Sequence, residues 1–143
     1  MESCIIYFSR AVGPFEEQLT AMLEQSRRTN ALLGITGVFL YVRGSIIQVL
    51  EGEQQAVEAV YRRIEADPRH HQLERILTRP ITHRLFTDLS MGYETINHSQ
   101  LDQIKAAFPL EGELPPGDEP LVLRVIRTFY EANRFNQMPF PAA

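Results

Sequence analysis

"LGITGVFLYVRGSIIQVLEG", residues 33–52, carries two runs rich in β-branched and aromatic side chains, 35–41 and 45–50, joined by Val42, Arg43 and Gly44. Two such runs with a glycine-bearing link predict an antiparallel hairpin. The second run contains an anomaly, because Gln48 stands among Ile46, Ile47, Val49 and Leu50, which make both faces of the strand apolar. A buried amide without partners costs about 1–3 kcal/mol, so Gln48 must either face water or a backbone group, or be paired inside.

Before the hairpin, "SCIIYFSRA" (3–11) predicts a strand ending near Ser9, and Gly13 and Pro14 punctuate the chain ahead of a helix over 15–29. Phe15, Leu19, Met22 and Leu23 fall on one face of that helix. After the hairpin, "EQQAVEAVYRRIEADP" (53–68) places Val57, Val60, Tyr61 and Ile64 on one helical face, and Pro68 stops the helix. Strand patterns return at "LERILTRPI" (73–81) and more weakly at "LSMGYETI" (89–96). The order β-α-β-β-α-β(-β) predicts an α+β, ferredoxin-like sheet with both helices on one face.

Beyond Asn97 the pattern changes to short helical pieces, "SQLDQIKAAF" (99–108) and "PLVLRVIRTFYEANRF" (120–135), flanking the proline-rich "PLEGELPPGDEP" (109–120). This divides the chain into a first domain, 1–97, and a C-terminal helical extension, 98–143, expected to pack on the open sheet face or on a partner. In its last helix Leu121, Val122, Val125, Ile126 and Phe129 form the apolar stripe, with Arg124, Arg127 and Glu131 outward. The closing "QMPFPAA" is expected to be loose.

Composition narrows the function. The chain has 143 residues, enough for one core, and a net charge of −4, which offers no general attraction to nucleic acid. No apolar run approaches the ~20 residues that cross a bilayer, the N-terminus lacks a secretion signal, and the single Cys4 suits a reducing compartment, so a cytoplasmic protein is expected. Metal binding is not expected: His70 and His71 are adjacent, and His83 and His98 lie far along the chain. Ser9 and Ser90 lack a nucleophile motif, Cys4 lacks a base, and no Walker or Rossmann loop is present. Taken singly, Tyr7 at the end of the first strand suits core packing, Asn30 suits a helix C-terminal cap, and the cations of "DPRHH" (67–71) suit a helix terminus.

Together, "IIYFSRA" (5–11), "SRRTNALLGITGVFLYVRGSIIQVLEGE" (26–53), "YRRIEADPRHH" (61–71) and "RLFTDLSMGYE" (84–94) resemble the BLUF family of flavin-binding blue-light sensors in order and spacing. The resemblance implies a non-covalent flavin, FMN or FAD, between the two helices. Tyr7 and Gln48 would join a hydrogen-bonded chain to the ring, with Tyr7 the electron donor and Gln48 the switch. Asn30 would hold the pyrimidine end, Met22 and Ile64 would wall the ring, Arg63 and Asp67 would lie toward the ribityl and phosphate part, and His70 would also bind the flavin. Met91 matches a methionine that senses the glutamine. No enzyme is implied. The resemblance is to short members, often homo-oligomers, that report light by binding or releasing another protein.

Two positions depart from the family pattern. Leu89 stands where tryptophan is usual, and Thr29 where some members have a second asparagine. A signal route that needs a swinging tryptophan therefore does not apply, and the expected route is Met91, the last strand and the cap. The rival readings are a flavin-binding or interaction domain without light switching, and an acylphosphatase-like enzyme, for which a phosphate loop after the first strand is missing.

Overall fold

In the computed structural model the described residues are 1–13, 15–107 and 121–137, and side chains at 15, 16 and 135–137 stand outside that description. They form β1 (Glu2–Ala11), α1 (Phe15–Leu33), β2 (Thr36–Val42), β3 (Ser45–Glu53), α2 (Gln54–Glu65), β4 (His70–Pro80), β5 (Gly92–Thr95), α3 (His98–Ala106) and α4 (Leu121–Gln137). The sheet order is β4-β1-β3-β2-β5, antiparallel except for the β2–β5 pair. This is the expected ferredoxin-like α+β arrangement with one added strand.

The hairpin turn is tighter than the sequence suggested. Val42 pairs with Ser45, leaving Arg43 and Gly44 as a two-residue turn with φ of +40° and +87°. Left-handed backbone at both positions matches the twist of the strands it joins. Side chains then alternate: Ile5, Tyr7, Phe39, Tyr41, Ile46 and Leu50 face one core, while Cys4, Ile6, Val38, Leu40, Ile47 and Val49 face another. The continuous apolar character of these strands is thus the signature of a sheet covered on both sides.

On the first face lie α1 and α2, which bury Met22, Leu23, Val57, Val60 and Tyr61. Five boundaries differ from expectation. Tyr7 sits within β1 rather than at its end, because β3 and β4 extend the pairing through Arg10 and Ala11. Asn30 does not terminate α1; Ala31, Leu32 and Leu33 continue the helix. The cap is Gly34, at φ +69°, where the Ile35 amide donates to the Asn30 carbonyl (2.8 Å) and the Gly34 amide to that of Ala31 (3.4 Å). This is a Schellman motif, and it leaves the Asn30 side chain buried.

Likewise, α2 ends at Glu65, so "DPRHH" is not its last turn. Asp67 accepts the Arg69 amide in a local turn, and His70 already opens β4 opposite Ala11, three residues before the predicted strand. The weak 89–96 pattern contracts to the four residues of β5.

On the second face lie α3 and α4. Asn97 and Gln100 form a reciprocal capping box at the start of α3. Leu101, Ile104, Val122, Leu123, Ile126 and Tyr130 join the core of this face, each large apolar side chain contributing about 1.5–3 kcal/mol by leaving water. The α4 stripe is rotated from the predicted one: Leu123 and Tyr130 are buried, whereas Leu121 is 57% exposed. Gln137 is helical, while "PLEGELPPGDEP" and residues 138–143 lie outside the described residues. Among the described residues no helix is long and apolar enough to cross a membrane.

Candidate functional site

Tyr7 and Gln48 are direct partners across the β1–β3 ladder, on the face covered by α1 and α2. The Tyr7 hydroxyl donates to Gln48 Oε1, and Gln48 Nε2 donates to Met91 Sδ at 3.5 Å. All three side chains are buried. The amide is therefore engaged at both ends, its oxygen by a strong donor and its nitrogen by a weak sulfur acceptor. Burial pushes the Tyr7 phenol well above its ordinary value of 10, and the nearby Tyr61 and Asp67 act in the same direction. Tyr7 thus keeps its proton and acts as a donor. Its ring rests edge-on against Tyr61 at 5.5 Å, and the Arg75 guanidinium lies 4.1 Å from the Tyr61 ring centre.

Met91 is presented by a backbone that α1 grips. Arg27 Nε donates to the Met91 carbonyl (3.0 Å) and Asn30 Nδ2 to that of Ser90 (2.7 Å), while the Gly37 amide of β2 donates to Leu89 (2.9 Å). Arg27 and Asn30 are three residues apart and share one helix face, so one short stretch of α1 holds 90 and 91 together.

Above Gln48 a cleft of about 120 Å³ opens between α1 and α2. Met22, Phe39, Val60 and Ile64 supply its apolar lining, Asn30 and Gln48 its amides, and Arg63, Asp67, Arg69 and His70 its charged or ionisable groups. Asp67 is clasped by Arg69, whose Nε lies 3.0 Å from each carboxylate oxygen and whose Nη2 is 2.6 Å from Oδ2. Burial alone would raise the Asp67 pKa, but the Arg69 side chain, amide and charge together outweigh it and hold the carboxyl below its ordinary value. At His70, burial pushes the imidazole down against the pull of Asp67, and Nδ1 lies 3.3 Å from Ser9 Oγ.

Of the residues named from sequence, Met22, Asn30, Gln48, Arg63, Ile64, Asp67 and His70 border this one cleft, with Tyr7 and Met91 joined to it through Gln48. Sequence reasoning passed over Arg27, Arg69 and Glu51. The signals were present: Arg27 precedes Asn30 by one helical turn, Arg69 follows Asp67 across a proline, and Glu51 extends the strand that holds Gln48. Glu51 is 1% exposed on the opposite face and accepts from the Leu85 and Phe86 amides (2.7 and 3.0 Å) and from Thr36 Oγ1 (3.2 Å). Burial raises its pKa while the two amides pull it back, and the carboxyl fastens the chain leading to Met91.

The donor set fits a flavin. Paired amides suit a ring edge that alternates carbonyl and N–H, the apolar lining suits an aromatic plane, and guanidinium suits phosphate. The cleft as it stands, about 120 Å³, is small beside the ~300–1,000 Å³ of ordinary ligand pockets. A larger groove of about 630 Å³ lies between α3 and α4; among the described residues it is lined mainly by Ala106, Ala107, Leu121, Val125 and Phe129, with Gln103, Arg124 and Thr128 as its polar members.

Comparison with known proteins gives concordant findings. A family model described as "BLUF: Sensors of blue-light using FAD" matches residues 3–92. "Photoactivated adenylate cyclase subunit beta" of Euglena longa is 37% identical over 106 residues, which cover 73% of this chain but 12% of that protein. The chain therefore corresponds to a small part of that curated relative. Among solved structures, "BlrB - a BLUF protein, dark state structure" is 29% identical with a TM-score of 0.68, covering 89% of this chain and 96% of that one. "BlsA photo-activated state" superposes with a TM-score of 0.71 over 99% of this chain and all of the other, at 24% identity, a likeness of fold. By its sequence match across β1 to the start of β5 and by its fold, the chain belongs to the BLUF family, sensors of blue light that use the flavin FAD.

Proposed function

We propose that this chain senses blue light through a flavin held between α1 and α2, with Gln48 as the switch and Tyr7 as the donor of an electron and a proton. One observation carries the reading: a buried chain of hydrogen bonds, Tyr7 to Gln48 to Met91, beneath an apolar cleft edged with amides and charges. Asn30 and Gln48 hold the polar edge of the ring, Met22 and Ile64 flank its plane, and Arg63 serves the ribityl and phosphate part with Asp67 and His70.

When bound, the flavin supplies blue-light absorption and accepts what Tyr7 gives up. The protein's part is to hold a neutral phenol against an amide that offers an acceptor at one end and donors at the other. Loss of an electron makes the phenol strongly acidic, and its proton already points at Gln48 Oε1. Both return to Tyr7 when the cycle closes, so nothing is consumed. An amide turned end for end presents its nitrogen to Tyr7 and its oxygen to Met91. Sulfur accepts hydrogen bonds weakly and a thioether donates none, so the Gln48–Met91 bond is lost and Met91 registers the change.

The signal passes to a downstream protein in the cytoplasm. Residues 1–97 act as the sensor, residues 98–143 as the helical extension that relays it, the assembly is a homo-oligomer, and no substrate is turned over. Purified protein is expected to be yellow and to show a reversible red shift of its flavin absorption under blue light. Gln48→Leu keeps the flavin and loses the shift, and Tyr7→Phe binds flavin without forming a lasting lit state. A bound flavin that never shifts, or a normal shift in Gln48→Leu, overturns the reading.

A further inference from the structure

Next to Met91, β5 is held from both faces. On the α1 side Arg27 takes the Met91 carbonyl at 3.0 Å. On the other side the following residue, Gly92, lies under the phenol of Tyr130 from α4. A Cβ at Gly92 would stand 2.6 Å from Tyr130 Oη, 2.9 Å from its Cζ and 3.0 Å from Leu89 Cδ1. Contacts that short do not occur between real side chains, so the absence of a side chain at 92 is what lets α4 touch the strand's backbone.

Tyr130 has little room to yield. It is 6% exposed and stands edge-on to Phe86, ring centres 6.4 Å apart at 84°, and the Phe86 amide is in turn held by Glu51. One helical turn on, Asn133 Nδ2 donates to the Thr95 carbonyl at 2.7 Å, so α4 engages β5 at both ends. Leu89, at the position where tryptophan is usual in the family, packs against the core on this same side of the sheet.

Resting on the reading of Gln48 as a light switch, we propose that Tyr130 is the residue through which the C-terminal helices read Met91. When the Gln48–Met91 bond is lost, the backbone at 91–92 shifts, and direct contact at Gly92 hands that shift to the Tyr130 ring and so to α4. Close-packed interiors do not absorb such displacements; they pass them on or repack. The route needs no tryptophan at 89.

The test uses the full chain with bound flavin, recording the red shift and the hydrogen exchange of α4 amides in the dark and under blue light. The native protein is expected to shift and to exchange faster along α4 when lit. Tyr130→Leu keeps the red shift, while the light-minus-dark difference in α4 falls about fivefold or more, and Tyr130→Phe shows a smaller loss of the same kind. Gly92→Ala, which drives a methyl into the ring, gives fast α4 exchange already in the dark, and adding Tyr130→Leu restores slow exchange by clearing the overlap. That rescue separates a specific contact from general loosening. An undiminished α4 response in Tyr130→Leu with its shift intact overturns the proposal, and if that variant loses flavin, an undiminished response in Tyr130→Phe does so. A native protein that shifts while α4 stays silent overturns this inference alone. One that binds flavin and never shifts overturns it together with the reading beneath it.

Discussion

Two buried polar residues, three apart on β3, set the local logic of this protein. Gln48 faces α1 and α2 and joins Tyr7 to Met91, whereas Glu51 faces the other layer and receives the amides of Leu85 and Phe86. Removing the carboxylate in Glu51→Ala leaves those two amides without their acceptor, at about 1–3 kcal/mol for each group that stays buried. Urea unfolding should therefore show a loss of several kcal/mol, with Glu51→Gln, which keeps an acceptor oxygen, in between; a loss within error contradicts the fastening role. That Gln48 needs partners was legible from its apolar neighbours. Their identity came only with the family resemblance and not from the residues taken singly, because Tyr7 is 41 residues away and becomes a neighbour only when strand register is fixed.

Elements matter here for where they stop. The left-handed Gly34 ends α1 so that Asn30 stays within the helix, one turn from Arg27, and both reach the backbone of 90 and 91. A Cβ at Gly34 would meet nothing within 4 Å, so Gly34→Ala isolates the backbone cost. An expected loss of about 1–2 kcal/mol follows from left-handed φ alone, read as a lower urea midpoint at unchanged slope. In the sequence Asn30 looked like the cap because asparagine also tolerates left-handed backbone, yet the helix formers Ala31, Leu32 and Leu33 carry the helix on to glycine. The same kind of tertiary decision moved the start of β4 to His70: pairing with Ala11 outweighs the weak strand propensity of "HHQ". The hairpin of β2 and β3 was readable without any such help, since its two β-rich runs and glycine-bearing link are local features.

At the scale of the molecule, one sheet separates two cores, the cleft on one side and α3 with α4 on the other. The apolar pattern of α4 announced that it must dock. The pattern did not give its rotation, which is fixed by contacts such as Tyr130 on Gly92 that no helical period encodes. Among the described residues, Glu94 Oε2 is buried at this seam without a hydrogen-bond partner, near Arg134 and Tyr130 of α4. Burial pushes the Glu94 carboxyl above its ordinary 4.5, with Arg134 and the Thr95 amide pulling partly back. A raised carboxyl favours the folded state in full below about 4.5 and loses that contribution as pH rises through the folded value. Glu94→Gln should accordingly raise the urea midpoint near neutral pH, with the gain shrinking as pH falls through the folded value towards 4.5 and staying level below it; a gain independent of pH would point to another cause. The alternation on β3 has a further consequence, for folding fidelity. A pairing slipped by one residue would carry Gln48 into the aliphatic layer beneath α4 and swing Glu51 away from the Leu85 and Phe86 amides, orphaning two polar groups at once. The amide proposed as the light switch thus also proofreads the register of the sheet that holds it.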